Sequence, residues 1–313
     1  MQNHIFLIGC GYSARATAAL ALARGWRVTG TARSQEKAEA LQAAGIAPVI
    51  YESGKPDGLR AALLDVSHVL SSVAPNADGD PVLDDVGDTL GASRPAWIGY
   101  LSTVGVYGDH AGAWIDETAS RLAPEGRGLW RIRAEDRWMA LASDRTRVQV
   151  FRLAGIYGPG RNPFQKLRAG TARAIIKPGQ VFNRIHVADI ARTVMAGIDV
   201  ARPGVQASNA QAFSAWADNA RSFNARSFNA RSFNVCDNRP ATPQDVIDYA
   251  ADLAGLPRAP RFDYETADLT PMARSFYGDC KRISNRRIRS ELGVRLAFPT
   301  YQAGLGALYA AGE

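Results

Sequence analysis

Two glycines and an alanine near the start of the chain have the types and spacing needed to hold a pyrophosphate. Gly9, Gly11 and Ala14 follow a short apolar run and open a stretch rich in alanine and leucine. The first glycine allows a tight turn, the second lets a phosphate approach the backbone, and a small third residue lets the next helix pack on the strand. Free N–H groups at the start of that helix favour an anion. The sequence therefore predicts a dinucleotide-binding loop formed by Gly9, Gly11, Tyr12 and Ala14.

The residues that end the second predicted strand indicate which dinucleotide this loop takes. Proteins that bind NAD place Asp or Glu near this point to hold the ribose 2′-hydroxyl, and segment 29–34 contains neither. Arg33 can form charge-assisted hydrogen bonds to a 2′-phosphate, and Thr31 and Ser34 can add hydroxyl donors. The sequence predicts NADP as the cofactor, with NAD as the alternative. A solvated surface arginine is the other interpretation of Arg33.

Composition is that of an ordinary globular protein. Of the 313 residues 46% are hydrophobic, the formal net charge is +7, and no run of five like charges suggests a nucleic-acid-binding tail. The three cysteines have no metal-ligand spacing, so we expect a reducing compartment and no metal site. No apolar stretch reaches the ~18 residues of a membrane span. We expect a cytoplasmic monomer or homodimer with a small-molecule substrate and with neither nucleic acid nor membrane as a partner.

Strand-like and helix-like segments alternate through the first half of the chain. Apolar runs predict strands at 4–8, 26–31, 47–51, 69–73, 97–102 and 148–153, and helical patterns occur at 13–24, 35–44, 59–65, 131–142, 187–200, 243–254 and 284–292. The alternation predicts an α/β fold, a Rossmann-type doubly wound parallel sheet with a smaller C-terminal α/β substrate domain. We expect 1–155 to form the dinucleotide-binding domain, with helix 187–200 and strand 233–236 returning to it. Residues 156–186 and 237–313 would form the substrate-binding part.

A tandem pentamer interrupts the second half of the chain. Arg-Ser-Phe-Asn-Ala begins at Arg221 and at Arg226, and recurs at Arg231 with Val235 in its fifth position. A period of five fits neither a helix nor a strand, and it is too short for a solenoid. We interpret 205–232 as a loop that carries a duplicated insertion. An Arg/Phe surface for a partner or a nucleic acid is the alternative.

Three further segments resemble the extended short-chain dehydrogenases/reductases. They are YLSTVGVYG at 100–108, RLAGIYGPG at 152–160 and RIHVADIA at 184–191. The tail, with KRISN at 281–285 and ELG at 291–293, is similar to the NAD-dependent epimerase/dehydratase branch of that family. Together with the glycine loop, these motifs occur in the same order as in the family. Only about residues 205–230 lie outside the resemblance. The resemblance implies a nicotinamide cofactor.

In that family a Ser or Thr, a Tyr and a Lys carry the reaction, the last two spaced Tyr-x-x-x-Lys. The resemblance places Thr103 at the Ser/Thr position, beside Ser102 as a cofactor contact. Residues 126–135 fall where Tyr and Lys should stand, but they contain no tyrosine and supply Arg127 and Arg131 instead. A guanidinium has a pKa above ~12 and cannot act as a general acid or base at neutral pH. Arg127 and Arg131 are therefore candidates for electrostatic contacts to substrate and ribose.

Two functions remain open from the sequence. The complete set of motifs around Thr103 favours an NADP-dependent oxidoreductase or epimerase-like enzyme that acts on a small substrate, with anionic and nucleotide-linked compounds as candidates. The missing tyrosine favours a cofactor-binding sensor or scaffold with little turnover. Three arginines (Arg152, Arg161 and Arg184) are either cleft residues or surface residues, and we expect His186 to be a packing residue.

Overall fold

Alternating strands and helices make up most of the chain in the computed structural model, which describes residues 3–201 and 229–313. The described strands are β1 (His4–Ile8), β2 (Arg27–Ala32), β3 (Ala47–Ile50), β4 (His68–Ser71), β5 (Trp97–Thr103), β6 (Trp114–Ile115), β7 (Arg147–Leu153), β8 (Gly155–Tyr157), β9 (Ala174–Ile176), β10 (Arg184–His186), β11 (Ala230–Val235), β12 (Arg261–Asp263) and β13 (Arg282–Ile283). The described helices are α1 (Tyr12–Ala23), α2 (Gln35–Ala43), α3 (Asp57–Ala62), α4 (Pro81–Ser93), α5 (Arg127–Met139), α6 (Phe164–Arg168), α7 (Val187–Val200), α8 (Pro243–Ala254), α9 (Pro271–Tyr277), α10 (Arg286–Glu291) and α11 (Tyr301–Ala310). None of these helices is long and apolar enough to span a membrane.

Seven of the strands form one parallel sheet in the order β11-β7-β5-β4-β1-β2-β3. The predicted Rossmann-type sheet is therefore confirmed. The chain runs outward from β1 through β2 to β3 and then returns to β4 on the other side of β1. Ligands of such sheets bind beyond the carboxyl ends of the strands at this reversal. The glycine loop follows β1 at that point.

The core lies on both faces of the sheet. In β1, Ile5 and Leu7 belong to one fully buried cluster, and Phe6 and Ile8 to another. Successive side chains of a strand point to opposite faces, so both faces of β1 are covered. Helices α1 and α7 pack against each other over the first cluster. The second cluster contains Trp138 of α5.

A third apolar cluster lies apart from the sheet. Its buried members come from the 157–174 segment, from α8 and its flanks, and from α11, and include Tyr157, Phe164, Ala250 and Leu305. Three two-stranded parallel ladders (β8 with β10, β9 with β12, and β6 with β13) lie in the second half or tie it to the first. The division into a dinucleotide-binding part and a substrate-binding part stays a prediction.

Several helices differ from the sequence expectation. The sequence did not predict α6, α9 and α11, and α3 begins two residues earlier than expected. Helix α5 begins at Arg127 rather than at 131, after Gly126 with φ +94°. Helix α4 was not predicted, although Asp80 before Pro81 is a strong start signal. The Asp80 carboxylate accepts hydrogen bonds from the N–H groups of Val82 and Leu83 at 3.0 and 3.1 Å. The Ala-Gly-Asp-rich sequence around it hid the helical pattern.

The pentamer repeat lies mostly outside the described residues. Its last copy is described and forms most of β11, which pairs with β7 at the edge of the sheet. Phe233 is buried and stacks on Phe151 with ring centroids 5.9 Å apart. Arg231 pairs with Glu291. This copy is thus part of the sheet.

Deleting residues 221–230 is expected to leave the fold intact. After the deletion Asn219 and Ala220 precede Arg231, as Asn229 and Ala230 do in the parent chain. The donor to the Ser143 carbonyl (Asn229 Nδ2, 2.6 Å) and the first residue of β11 are therefore replaced by identical residues. Because each doubling of loop length changes the closure free energy by only ~0.6 kcal/mol, the melting temperature should shift by less than about 2 °C. A fall of many degrees in calorimetry would show that the duplicated residues pack on the core.

Candidate dinucleotide and substrate site

The glycine loop is held by two hydroxyl groups from neighbouring strands. Gly9 has φ +81°, a conformation that favours glycine, and a Cβ there would lie 2.9 Å from Val73 Cγ2. The Gly9 N–H donates to Thr31 Oγ1 at 2.8 Å. Ser72, beyond β4, donates its hydroxyl to the Gly9 carbonyl. Thr31 is buried and supports the loop through this hydrogen bond. Ser72 could not be predicted because only the pairing of β1 with β4 brings it to the loop.

The start of α1 is open toward solvent. No side chain caps it, and no acidic residue lies in its first turn. A Cβ built on Gly11 meets no atom of the described residues within 4 Å. Ala14 is fully buried against the core. Tyr12 is partly exposed and donates its hydroxyl to the Pro159 carbonyl at 2.9 Å. An uncapped helix N-terminus with open space before it fits a pyrophosphate.

Arg33 and Ser34 follow the carboxyl end of β2, at the same end of the sheet as the glycine loop. Arg33 is exposed. The Ser34 Oγ accepts a hydrogen bond from the Lys37 N–H at 3.4 Å and caps α2. No Asp or Glu lies in segment 29–34. The end of β2 is therefore followed by a cation, Arg33, where NAD-binding proteins have an acidic residue.

Thr103 is the last residue of β5 and is half-buried. Its Oγ1 accepts a hydrogen bond from the Gly105 N–H at 3.1 Å and caps the 3₁₀ helix Val104–Tyr107. The hydroxyl proton of Thr103 has no acceptor among residues 3–201 and 229–313 and can donate to a ligand. Ser102 is buried, and its Oγ donates to Glu135 Oε1 at 2.6 Å. The side chain of Ser102 therefore supports α5, and its contact with the cofactor stays a prediction.

Glu135 and Arg152 form a buried ion pair behind this strand end. Glu135 is 0% and Arg152 4% exposed. The Arg152 Nη2 donates to Glu135 Oε2 at 2.8 Å, and its Nη1 donates to the Tyr107 hydroxyl at 2.8 Å. The Tyr107 hydroxyl in turn donates to Asn234 Oδ1 of β11 at 2.7 Å. Arg152 is thus neither a surface nor a cleft residue. Tyr107 is buried, and its hydroxyl proton is held by Asn234, so Tyr107 does not replace the missing tyrosine as an acid.

The two arginines of α5 lie in different environments. Arg131 Nη1 donates to the Leu101 carbonyl at 2.8 Å and to the Tyr100 hydroxyl at 3.0 Å, which places a cation at the carboxyl end of β5. Burial raises the pKa of Tyr100, and the Arg131 charge opposes this shift. Arg127 is exposed at the first position of α5. The structure therefore brings Arg131, but not Arg127, into contact with the strand that ends in Thr103.

His186 caps α7 and is buried, as expected for a packing residue. Its Nδ1 accepts a hydrogen bond from the Ala188 N–H at 3.2 Å, and its ring lies 4.0 Å from that of Phe298 between centroids. Burial lowers the pKa of His186. Arg184 donates to the carbonyls of Phe182 and Ala241 at 3.0 and 3.1 Å. Across residues 3–201 and 229–313 no His/Cys/Asp/Glu cluster could hold a metal ion.

Comparison with known proteins gives the chain a family. No family model matches it. A conserved protein of unknown function from Silicibacter pomeroyi DSS is 45% identical, with 100% of both chains covered and a TM-score of 0.82. This chain belongs to the same family. Protein YeeZ of Escherichia coli (strain K12) is 29% identical over 183 residues, 55% of this chain and 65% of the relative. The match thus spans just under two thirds of that relative's length.

Two further solved structures describe the fold. A protein from Methylobacillus flagellatus, assigned as an NAD-dependent epimerase/dehydratase, is 25% identical over 100% of this chain and 99% of its own, with a TM-score of 0.68. MoeE5, solved with UDP-glucuronic acid and NAD, is 17% identical over 99% of this chain and 100% of its own, with a TM-score of 0.72. These two structures share the fold of this chain, and the first of them is assigned as an NAD-dependent epimerase/dehydratase.

Proposed function

We propose that this protein binds NADP(H) at the start of α1. The observation that carries the proposal is the uncapped, open N-terminus of α1 behind Gly9 and Gly11. The N–H groups of its first turn would hold the pyrophosphate, and the exposed Arg33 would pair with the 2′-phosphate. The Methylobacillus structure, assigned as NAD-dependent, supports a nicotinamide cofactor, and the choice of NADP over NAD rests on Arg33 and the absent acid.

Replacing Arg33 by Ala tests the choice of NADP. The variant is expected to lose about 1.5–3 kcal/mol of NADPH affinity, the range for hydrogen bonds to charged groups, and to keep its NADH affinity. Fluorescence titration with both cofactors measures this difference. Arg145→Ala is the matched control, because Arg145 is exposed and lies just before β7, at the amino end of the sheet. Equal affinity of the parent for NADPH and NADH would contradict the assignment.

The proposed reaction is an oxidoreductase or epimerase-like conversion of a small substrate. The bound nicotinamide would supply or accept a hydride. Thr103 would donate its free hydroxyl proton to a substrate oxygen, and the cation of Arg131 at the end of β5 would stabilise developing negative charge. The MoeE5 complex with UDP-glucuronic acid supports a small anionic or nucleotide-linked substrate.

A second candidate function is that of a cofactor-binding sensor or scaffold with little turnover. It is favoured by α5, which contains no tyrosine and places Arg127 at its exposed start. General acid/base assistance is typically worth 10²–10⁴-fold in rate, and neither arginine supplies it. We therefore expect clear NADPH binding together with weak turnover of generic aldehydes, ketones and nucleotide sugars.

Thr103→Ala separates the two candidates once a substrate is in hand. In an enzyme the variant should lower kcat by about 10-fold or more, the value of one hydrogen bond to developing charge, with NADPH affinity unchanged. Thr103→Ser keeps the hydroxyl and should retain most of the activity. Efficient turnover that survives Thr103→Ala and Arg131→Ala would place the reaction elsewhere.

A further inference from the structure

A cleft opens beyond the carboxyl end of β11, the edge strand of the sheet. Its volume is about 690 Å³, within the range of ~300–1,000 Å³ typical of small-molecule sites. It is lined by Trp114, Asp237, Asn238, Ile283, Ser284, Asn285, Arg286, Arg289 and Ser290. None of these residues belongs to the dinucleotide loop or to the end of β5. Strand β11 lies four positions from β1, or roughly 19 Å at ~4.8 Å per strand.

Asp237 gives this cleft an unpaired buried acceptor. The residue is 2% exposed. Its Oδ1 accepts a hydrogen bond from the Arg239 N–H at 2.9 Å, whereas its Oδ2 has no partner among the described residues. A buried carboxylate oxygen without a donor costs about 1–3 kcal/mol or more. Burial raises the pKa of Asp237 to about 7, with the Arg184 charge opposing the shift. A ligand hydroxyl directed at Oδ2 would remove this deficit.

Two arginines on one side of α10 supply positive charge to the same cleft. Arg286 and Arg289 are three residues apart and therefore neighbours on the helix surface. Both are exposed, and neither makes an ion pair within the described part of the chain. The intervening Arg287 differs, because it pairs with Glu117 at 3.6 Å and Glu291 at 3.5 Å. Two unpaired guanidinium groups this close together suit a phosphate.

The remaining walls are shaped for a polar ring. Trp114 is 60% exposed at the cleft mouth, and an indole face packs well on a sugar or a base. Asn285 is buried and fixes the opposite wall, since its Nδ2 donates to the Cys236 carbonyl and to Asn238 Oδ1, both at 2.8 Å. The wall is therefore ordered without a ligand, as a preformed site requires.

We propose that this cleft binds a small phosphorylated molecule that carries hydroxyl groups. The phosphate lies between Arg286 and Arg289, a hydroxyl donates to Asp237 Oδ2, and the ring of the ligand packs on Trp114. Sugar phosphates and nucleoside monophosphates share this chemistry. The site is independent of the proposed dinucleotide site.

Calorimetric titration of the full chain with glucose 6-phosphate, UMP, orthophosphate and glucose at constant ionic strength tests the proposal. Saturable binding of glucose 6-phosphate or UMP, each tighter than orthophosphate and glucose, is expected. If glucose 6-phosphate binds more tightly than UMP, the ligand class is sugar phosphates. If UMP binds more tightly, the ligand class is nucleotides. The double variant Arg286→Ala/Arg289→Ala should weaken the phosphorylated probe by about tenfold or more. Asp237→Ala should weaken the binding of the phosphorylated probe but not the binding of orthophosphate.

Control variants separate this cleft from the dinucleotide site. Arg145→Ala and Gly11→Val should leave the calorimetric titration unchanged. Binding should also quench the fluorescence of Trp114, and Trp114→Phe should remove that quenching. The exposed arginines lie outside the core, so the double variant should keep the parent's melting temperature. Absence of saturable binding at millimolar concentration, equal binding by the double variant, or displacement of the probe by NADPH would overturn the proposal.

Discussion

Gly11→Val is expected to abolish NADPH binding while the protein stays folded. Gly11 has φ −85° and ψ −164°, a conformation that valine adopts readily. Within the part of the chain that the structure describes, a Cβ at Gly11 meets no atom within 4 Å, so the branched side chain enters the space before α1. That is the space the pyrophosphate needs. We expect a loss of roughly 100-fold or more in affinity, about 2.8 kcal/mol, in fluorescence titration.

The neighbouring glycine of the motif supplies a contrasting variant. Gly9→Ala forces φ +81° on a residue with a Cβ and drives that atom to within 2.9 Å of Val73 and 3.0 Å of Ser72. It should lower the melting temperature, whereas Gly11→Val should not. Gly91→Val in α4 is the control for replacing a glycine by valine away from the loop. A Cβ at Gly91 likewise meets no atom of the described residues within 4 Å. NADPH affinity of Gly11→Val close to that of the parent would mean that the loop is only a turn.

Local patterns were sufficient to predict the sheet and most of its helices. Strand β1 and helices α7 and α8 have the predicted bounds, because each has an uninterrupted apolar pattern with a clear start or stop. Helix α5 was placed four residues late. Its first turn, RGLW, has a glycine and little apolar periodicity. The turn is helical because it packs beside the 3₁₀ helix after β5, a tertiary contact absent from the local pattern.

The candidate site was predictable in its motifs but not in the roles of all its side chains. Gly9 and Gly11 lie where the loop pattern placed them. Thr31 supports that loop, and Ser102 binds Glu135, a residue 33 positions away along the chain. Such roles depend on which strands become neighbours, and a single sequence does not show this. For the same reason the cleft at Asp237, whose walls come from three separate segments, could not be predicted from the sequence, although part of its wall belongs to the KRISN segment 281–285.

Glu135→Ala is expected to destabilise the protein by about 3–5 kcal/mol, the loss for removing one partner of a buried ion pair. Glu135 accepts hydrogen bonds from Arg152 Nε at 3.1 Å and Nη2 at 2.8 Å and from Ser102 Oγ at 2.6 Å. Without it the guanidinium of Arg152 stays buried with no carboxylate. Urea unfolding measures the change. The variant should keep NADPH affinity while it remains folded, because no atom of Glu135 contacts the glycine loop.

Asp136→Ala is the matched control for the buried charge. Asp136 is the next residue along α5, and its side chain is 56% exposed and pairs with Arg121 at 2.8 Å. An exposed pair contributes about 0–1 kcal/mol, so this variant should be close to the parent. If the stranded charge of Arg152 causes the loss, Glu135→Leu/Arg152→Met should be more stable than Glu135→Leu alone. A double variant as unstable as the single would instead assign the loss to the Ser102 bond and the packing of α5 on β5, and Thr103 would then depend on that packing for its position.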